Sequence, residues 1–525
     1  MHEPTLDMPS RPNSGSGPAK PSAETGKTGA GSVLVAFAPF ALWSPHFETD
    51  LELVKNHVDA GGSAIVLSCN GQLLTCEPNP EHRRLACLTC QSRFRSGMRW
   101  LKDPAILHET FYELTEDEAL QVEQLRQRKW RDLEEVRNFR LNGADVGLAA
   151  VSSLVSWCRE PSPDVTVFAR EIGAHVASAA MVYFSIARKL PRLNADLMTL
   201  FNGRLAALRP ALRAAQQLAV TTYVHERAGY RERYGLTMDT YPHDLAPIKR
   251  EIEELYSRAE LSTKERDQAL DWYRERRDGI AQGWVSFVGG QRRDELPVGI
   301  GEAPVDVAIF VSSEDEFVAI EEWNNPFYRN QNDAILQLLS DFEDEPRLRF
   351  FLRLHPNMAG LENSQLLGVQ ALAARFPNLV VIGASSRVSS YALIDAVDLV
   401  ISYGSTIGIE AAFAGKPSVL MGRAMYEDLG ACLRPESHQA LVSLLADLVV
   451  GRRPELPAGL DEGLVKFGHY NRVGGRAYSH LVPHGLFDAR MREEEGLTAI
   501  KAGRLLRTAF KLSRFAHSLR RRFSP

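Results

Sequence analysis

VDLVISYGSTIGIEAAFAGKPSVLMGR, residues 397–423, decides how the rest of the chain is read. Its short β-branched run, Leu399 to Ser402, predicts a buried parallel strand. The strand stops at Tyr403-Gly404-Ser405-Thr406, and small residues from Ile407 to Phe413 predict a helix that ends at Gly415, with Pro417 opening the next apolar strand. Gly404 permits a sharp turn, Ser405 or Thr406 can cap the helix, and the free N–H groups of its first turn suit an anion. Glu410 falls one turn after Thr406 on the same face, where a carboxylate can accept hydrogen bonds from a ribose diol. The alternative is an ordinary turn with a capping Ser and a solvated Glu.

A chain of 525 residues exceeds what one core supports, so two large domains with appendages are expected. Apolar content of 44% and charged content of 24% belong to a globular protein in water. Six Cys are too few for a secreted disulfide framework, and four of them cluster locally, which favours a reducing compartment and metal binding. No apolar run reaches the roughly 18 to 20 residues that span a bilayer. Charge is uneven. The last 25 residues hold eight cations and no acid, so the rest of the chain carries −13 against a whole-chain −5. A basic tail on an acidic body argues against nucleic acid as the main ligand and for a localised electrostatic contact.

Residues 1–31 are rich in Pro, Ser, Gly and Lys and read as a disordered tail with no targeting signature. Ser32 to Phe40 predicts a buried strand. Phe47, Leu51, Val54 and Val58 follow at helical spacing up to Gly61-Gly62, and SAIVLSC is a second strand. This β-α-β unit opens a doubly wound domain whose ligand loops lie at the strands' carboxyl ends. It has no GxGxxG, so a dinucleotide is not implied. Cys69, Cys76, Cys87 and Cys90 follow as C-x6-C-x10-C-x2-C. Four thiolates converging within about 4 Å of one another suit a structural zinc ion or an iron–sulfur cluster, with no open position for catalysis. The alternative is a set of unligated thiols. From about 110 to 195 the chain reads as mostly helical, with Thr115 capping one long helix through Asn138. Further on, a strand, a turn at Asn202-Gly203-Arg204, a helix and a second strand end at His225-Glu226-Arg227. Glu226 is there either a crevice residue or half of a structural ion pair.

Ser262 and Glu265 make a capping box for a helix closed by Gly279. Gly and Pro from 289 to 304 read as a linker between a domain at 32–288 and a second α/β domain at 305–488. The second domain opens with a strand ending at Ser312-Ser313, whose hydroxyls can donate to phosphate, before the acids Glu314, Asp315 and Glu316. Its next strand ends at Arg353 and His355, a permanent charge and a donor that suit a diphosphate. Strand ends bearing SS, RxHPN and YGST thus share one edge of one sheet.

RLHPN (353–357), DLVISYGSTIGIEAAFAGKP (398–417) and FVSSEDEF (310–317) resemble the donor-binding half of bacterial GT-B glycosyltransferases of the capsule and surface polysaccharide type. FNGR, HERAG and CNGQLLTC resemble the N-terminal half, so the likeness covers roughly 32–488. The resemblance implies two Rossmann-like doubly wound domains facing a cleft, here with a helical insertion in the first and a basic C-terminal helix. It implies a nucleotide diphosphate held at Ser312, Ser313, Arg353, His355, Gly404, Ser405, Thr406 and Gly408, with the ribose on Glu410. A glycan or lipid-linked glycan acceptor would lie on the N-terminal domain, with Glu226 the candidate general base. No E-x7-E pair fixes the stereochemistry, and no cofactor is needed for catalysis.

Two readings follow. One is a transferase moving a sugar from a nucleotide donor to a growing surface glycan; the other is a sugar-nucleotide epimerase or non-catalytic sugar-binding relative on the same fold. The tail, residues 489–525, favours the first. Placed on a helix, Leu505, Ala509, Leu512, Ala516, Leu519 and Phe523 form a stripe opposite Arg504, Arg507, Lys511, Arg514, Arg521 and Arg522. Such a helix can lie on an anionic membrane, which predicts a cytoplasmic protein peripheral to the inner face. The bland reading is a terminal helix docked on the acidic body.

Overall fold

The computed structural model describes residues 31–283 and 285–523, with side chains described up to residue 513. The tail read over 1–31 therefore lies outside the described residues save for Gly31. Strands β1 (Val33–Phe37), β2 (Ser63–Ser68), β3 (Ile106–Thr110), β4 (Leu197–Phe201), β5 (Thr221–Arg227) and β6 (Arg233–Met238) form most of the first sheet. The chain runs outward from β1 through β2 to β3, then returns to place β4 and β5 on the other side of β1, all parallel. The strand order therefore reverses between β1 and β4. β6 pairs antiparallel with β5 at the edge.

Side chains alternate across β1 as a strand requires. Val35 and Phe37 pack with Val151, Leu154, Val176 and Ile186 of the inserted helices, while Leu34 and Ala36 pack with Phe47, Leu51 and Phe94. Both faces are covered, which is why β1 reads as one continuous apolar run. The long helix expected after Thr115 is instead two. Thr115 makes a full capping box with Glu118, but Glu116–Gln127 ends before Trp130 turns into the core. Asp132 then accepts from Glu135 N at 2.8 Å and starts Leu133–Asn138.

The second sheet holds β7 (Val305–Phe310), β8 (Leu348–Arg353), β9 (Leu379–Ile382), β10 (Leu399–Ser402) and β11 (Ser418–Leu420). All are parallel in the order β11-β10-β7-β8-β9, so a second reversal falls between β7 and β10. Val307 and Ile309 pack to one side with Leu338 and Leu352, Ala308 and Phe310 to the other with Leu393 and Ile394. The fold is thus the α/β class expected, two doubly wound sheets, the second all parallel and the first parallel but for its edge.

Packing crosses the sequence's division of the chain in two places. Helices Leu245–Arg258 and Thr263–Arg277 bury Ile248, Ile252, Trp272 and Tyr273 with Ile409, Leu420, Tyr426 and Phe467 of the C-terminal half. After residue 475 the chain returns: β12 (Arg476–Ala477) joins β6, and a small sheet of β13 (Leu481–Pro483), β14 (Ala489–Glu493) and β15 (Gly496–Thr498) buries Leu481, Met491 and Ile500 against Leu34, Phe47 and Phe94. A Gly/Pro-rich stretch marks where a loop is, and not which body its neighbours pack on.

Candidate functional site

In an open parallel sheet, loops at the carboxyl ends part where strand order reverses, and the crevice between them takes ligand. At the β7/β10 reversal lies a cavity of about 350 Å³ lined by Ser312, Glu316, Arg353, His355, Gly404, Ser405, Thr406 and Glu410. Arg353 ends β8 with its side chain 2% exposed and donates to Gly383 O at 2.9 Å and Ser386 O at 3.3 Å. Burial lowers its guanidinium to about 10, and among the described residues no carboxylate pairs with it. It stays a cation at neutral pH, held where an anion would find it. His355 lies beside it. Its Nδ1 accepts from Asn357 N at 3.2 Å, which leaves the proton on Nε2. Burial, helped by Arg159, lowers it to about 4, so it is a neutral donor.

Gly404 has φ +100°, and a Cβ there would meet Arg423 O at 2.7 Å, so the turn admits no side chain. Thr406 stands at the N-cap without capping. Its hydroxyl donates to Glu410 Oε1 at 2.8 Å, while Ser405 Oγ accepts from Ile407 N at 3.4 Å. The alternative of a solvated Glu is not what is found, and Glu410 lines the cavity, as expected of a crevice carboxylate. It is 4% exposed and takes Tyr391 on its other oxygen and Arg276 at 3.1 Å. Burial pushes its carboxyl up, but Arg276 and the hydrogen bonds outweigh it and hold it below the usual range.

Two further residues leave the expected set. The Ser313 hydroxyl donates to Asp315 and accepts from Arg159 at 3.2 Å, and Ser313 does not line the cavity. Successive residues past a strand face opposite ways, so only Ser312 turns inward. Gly408 does not line the cavity either; a Cβ there would meet the Tyr426 hydroxyl at 2.6 Å, so its role is close packing. The acids after β7 are satisfied without ligand: Asp315 by Arg159, Glu314 by Gln331 N and Glu316 by Asn357 at 2.6 Å. Arg276, Tyr391, Gln282 and Phe287 line the cavity as well, and nothing local in the sequence marks them.

Next to the β1/β4 reversal, Glu226 is the last residue but one of β5. One oxygen accepts from Asn202 Nδ2 at 2.9 Å and the other from Arg227 N at 3.0 Å, with His46 Nδ1 at 3.9 Å. His46 stacks against Phe201 at 3.9 Å. Burial, then His225 and Arg227, holds it well below its ordinary value, so the imidazole is neutral. Burial lowers Arg204, and Glu226 from this edge together with Glu316 and Asp315 from the other domain oppose that. Arg159 ties the same edges, reaching Asp315, Ser313 and Asn357 O from the end of the inserted helix Val146–Cys158.

Cys69, Cys76, Cys87 and Cys90 line a different cavity, at the carboxyl ends of β1 and β2. Among the described residues no group of three or more His, Cys, Asp or Glu is arranged to hold a metal ion, so the expected convergence of four sulfurs on one point is not the arrangement found. The helix Arg504–Phe523 lies along Arg84–Leu101. Leu505 and Leu512 of its expected apolar stripe are 87% and 64% exposed. Ala516, Leu519 and Phe523, with Arg514, Arg521 and Arg522, lie outside the residues whose side chains are described. No helix of the described residues is long and apolar enough to cross a membrane.

Among solved structures the chain is similar to the KpsC β-Kdo 2,4-transferase of Thermosulfurimonas dismutans, with 13% identity over 57% of this chain and 81% of that one at a TM-score of 0.32. It is also similar to Acinetobacter baumannii MurG, with 12% identity, 85% and 96% coverage and a TM-score of 0.27. The UDP-GlcNAc 2-epimerase from Neisseria meningitidis bound to UDP-GlcNAc gives 12%, 83% and 94%, and 0.27. Scores this low carry no argument for function. No curated protein matches the chain. The family model described as capsule polysaccharide biosynthesis protein matches residues 322–439, from just after β7 to the start of the helix His438–Val449. That segment carries RLHPN and the 397–423 stretch together with the loops between them, and over it the chain is similar to that family.

Proposed function

We propose that the protein is a glycosyltransferase that moves a sugar from a nucleotide-sugar donor to a bacterial surface glycan. The observation that carries this is Arg353: a buried guanidinium with no carboxylate partner among the described residues, lining a cavity at the β7/β10 reversal beside the neutral donor His355. A buried cation left unpaired is costly unless an anion joins it. The phosphate of a nucleotide sugar supplies that anion, with Ser312, Ser405 and Thr406 placed around the same cavity.

The acceptor hydroxyl would enter at the β1/β4 edge, where Glu226 takes its proton as the oxygen attacks the anomeric carbon. The bond from that carbon to the phosphate oxygen breaks, and the nucleotide leaves with the electron pair. Its developing charge is met by Arg353 and the Nε2–H of His355. His46 Nδ1 lies 3.9 Å from Glu226, too far for a direct hydrogen bond but near enough for one water to bridge them. The exposed Leu505 and Leu512 on the basic terminal helix would hold the enzyme at an anionic inner membrane face, where lipid-linked acceptors are.

The test is incubation of the purified protein with a panel of nucleotide sugars and glycan acceptors, with released nucleotide and extended glycan read by mass spectrometry. Nucleotide release that requires acceptor supports transfer. Interconversion of the sugar without acceptor would favour an epimerase instead, and binding without turnover a sugar-binding relative.

A further inference from the structure

Cys69 ends the strand β2, Cys76 sits in the loop after it, and Cys87 and Cys90 occupy the first two turns of the helix Arg84–Leu101. One cavity is lined by all four, with Phe40, Leu42, Pro78 and Phe94 completing its wall. The other two cysteines, Cys158 and Cys432, are not part of it. The proposed transfer makes no use of this cavity, and neither the family segment nor the donor site reaches it.

Three of the sulfurs are already met by N–H groups, as a thiolate requires. Cys90 Sγ accepts from Ala41 N at 3.1 Å, Cys87 Sγ from Asn79 Nδ2 at 3.2 Å, and Cys69 Sγ from Leu73 N at 3.3 Å. The donors come from three separate segments, the loop after β1 and two parts of the loop after β2, so the hydrogen bonds are built by the fold and not by one local turn. Helix N–H groups at the start of Arg84–Leu101 add a favourable field for negative charge at Cys87, close to the first turn.

The size of the cavity chooses between the chemistries four thiolates can hold. Its volume is about 60 Å³, whereas a single water needs about 10–15 Å³. A lone tetrahedral ion draws its ligands to a point, with sulfurs about 2.3 Å from it. The four thiols instead line one space with room for several atoms. A cluster presents its irons outward and takes thiolates spread around it. We propose that Cys69, Cys76, Cys87 and Cys90 are the ligands of an iron–sulfur cluster, each thiol giving up its proton as its sulfur binds iron. The cluster fastens the loops at the carboxyl ends of β1 and β2 to the helix Arg84–Leu101, the helix whose Arg93 and Ser92 in turn hold Ile500 O and Gly503 N of the C-terminal segment.

The full-length chain, expressed with excess iron and purified without oxygen, tests this. Iron and acid-labile sulfide in equal amounts are expected, with broad visible absorption that bleaches on adding dithionite. Cys87→Ala and Cys90→Ala should lose the absorption, and Cys158→Ala should keep it. One zinc per chain without sulfide would overturn the cluster. Folded protein with neither metal would overturn the site altogether. Should the Cys variants fail to fold, the metal and sulfide content of the unaltered chain still decides the matter.

Discussion

Glu410 takes hydrogen bonds or charge from three side chains at once, Thr406, Tyr391 and Arg276. Removing it strands the Arg276 guanidinium against Trp272 without its carboxylate. Glu410→Ala should therefore cost about 2 to 3 kcal/mol of stability, seen as a lowered urea midpoint, on top of any loss of nucleotide affinity. An unchanged midpoint would show that the carboxylate is a ligand group alone. The residue itself was legible from its spacing to Thr406, because i and i+4 on a helix share a face. Arg276 and Tyr391 were not, since each comes from another helix and only tertiary packing brings them in. Ser313 is a different case. The alternation past the end of β7 was enough to show that Ser312 and Ser313 cannot both face one cavity.

Elements with local signatures were read well and those that depend on distant neighbours were not. Capping boxes at Thr115 and Ser262 form as their spacing requires. The break at Trp130 escaped notice because the buried indole overrides a helical composition. The terminal helix gives a prediction at this scale. A cut after Gly496 would remove most of β15 and the buried Ile500, whose carbonyl accepts from Arg93 Nε at 3.0 Å. A cut after Gly503 spares them, so that form should keep its thermal midpoint yet fail to sediment with anionic liposomes at low salt. Equal sedimentation of the full and cut chains would remove the membrane role. The helix Ala169–Arg192 gives another. Burial lowers His175 to about 4, and its Nδ1 has no partner. The native state therefore binds fewer protons than the unfolded chain between about pH 6.5 and 4, and stability is lost as pH falls through that window at up to about 1.4 kcal/mol per pH unit. His175→Leu should gain stability relative to the natural chain as pH drops from 6.5, measured by denaturant unfolding across that range. Parallel pH profiles for the two would show that His175 titrates normally.

At the scale of the whole molecule, two doubly wound sheets were foreseeable from apolar runs alternating with helical periods, because strands buried on both faces leave that mark. The exchange of segments between the halves was not, as helices 245–277 and strands 476–498 carry amphipathic patterns that fit either body. The exchange matters for the account, since Arg276 reaches the cavity at the β7/β10 reversal from a helix that sequence alone assigned to the other domain. What the assembled molecule offers is a buried cation at the reversal of one sheet, without a carboxylate partner among the described residues, and Glu226 beside Asn202 and His46 on the other sheet. Titration calorimetry of a panel of nucleoside mono- and diphosphates onto the natural chain and onto Arg353→Met tests that claim most directly. The account predicts that one of the nucleotides binds the natural chain and that Arg353→Met weakens it by about 1.5 to 3 kcal/mol, roughly tenfold to a hundredfold. Equal affinity in both forms, or no binding of any nucleotide to the natural chain, would contradict it.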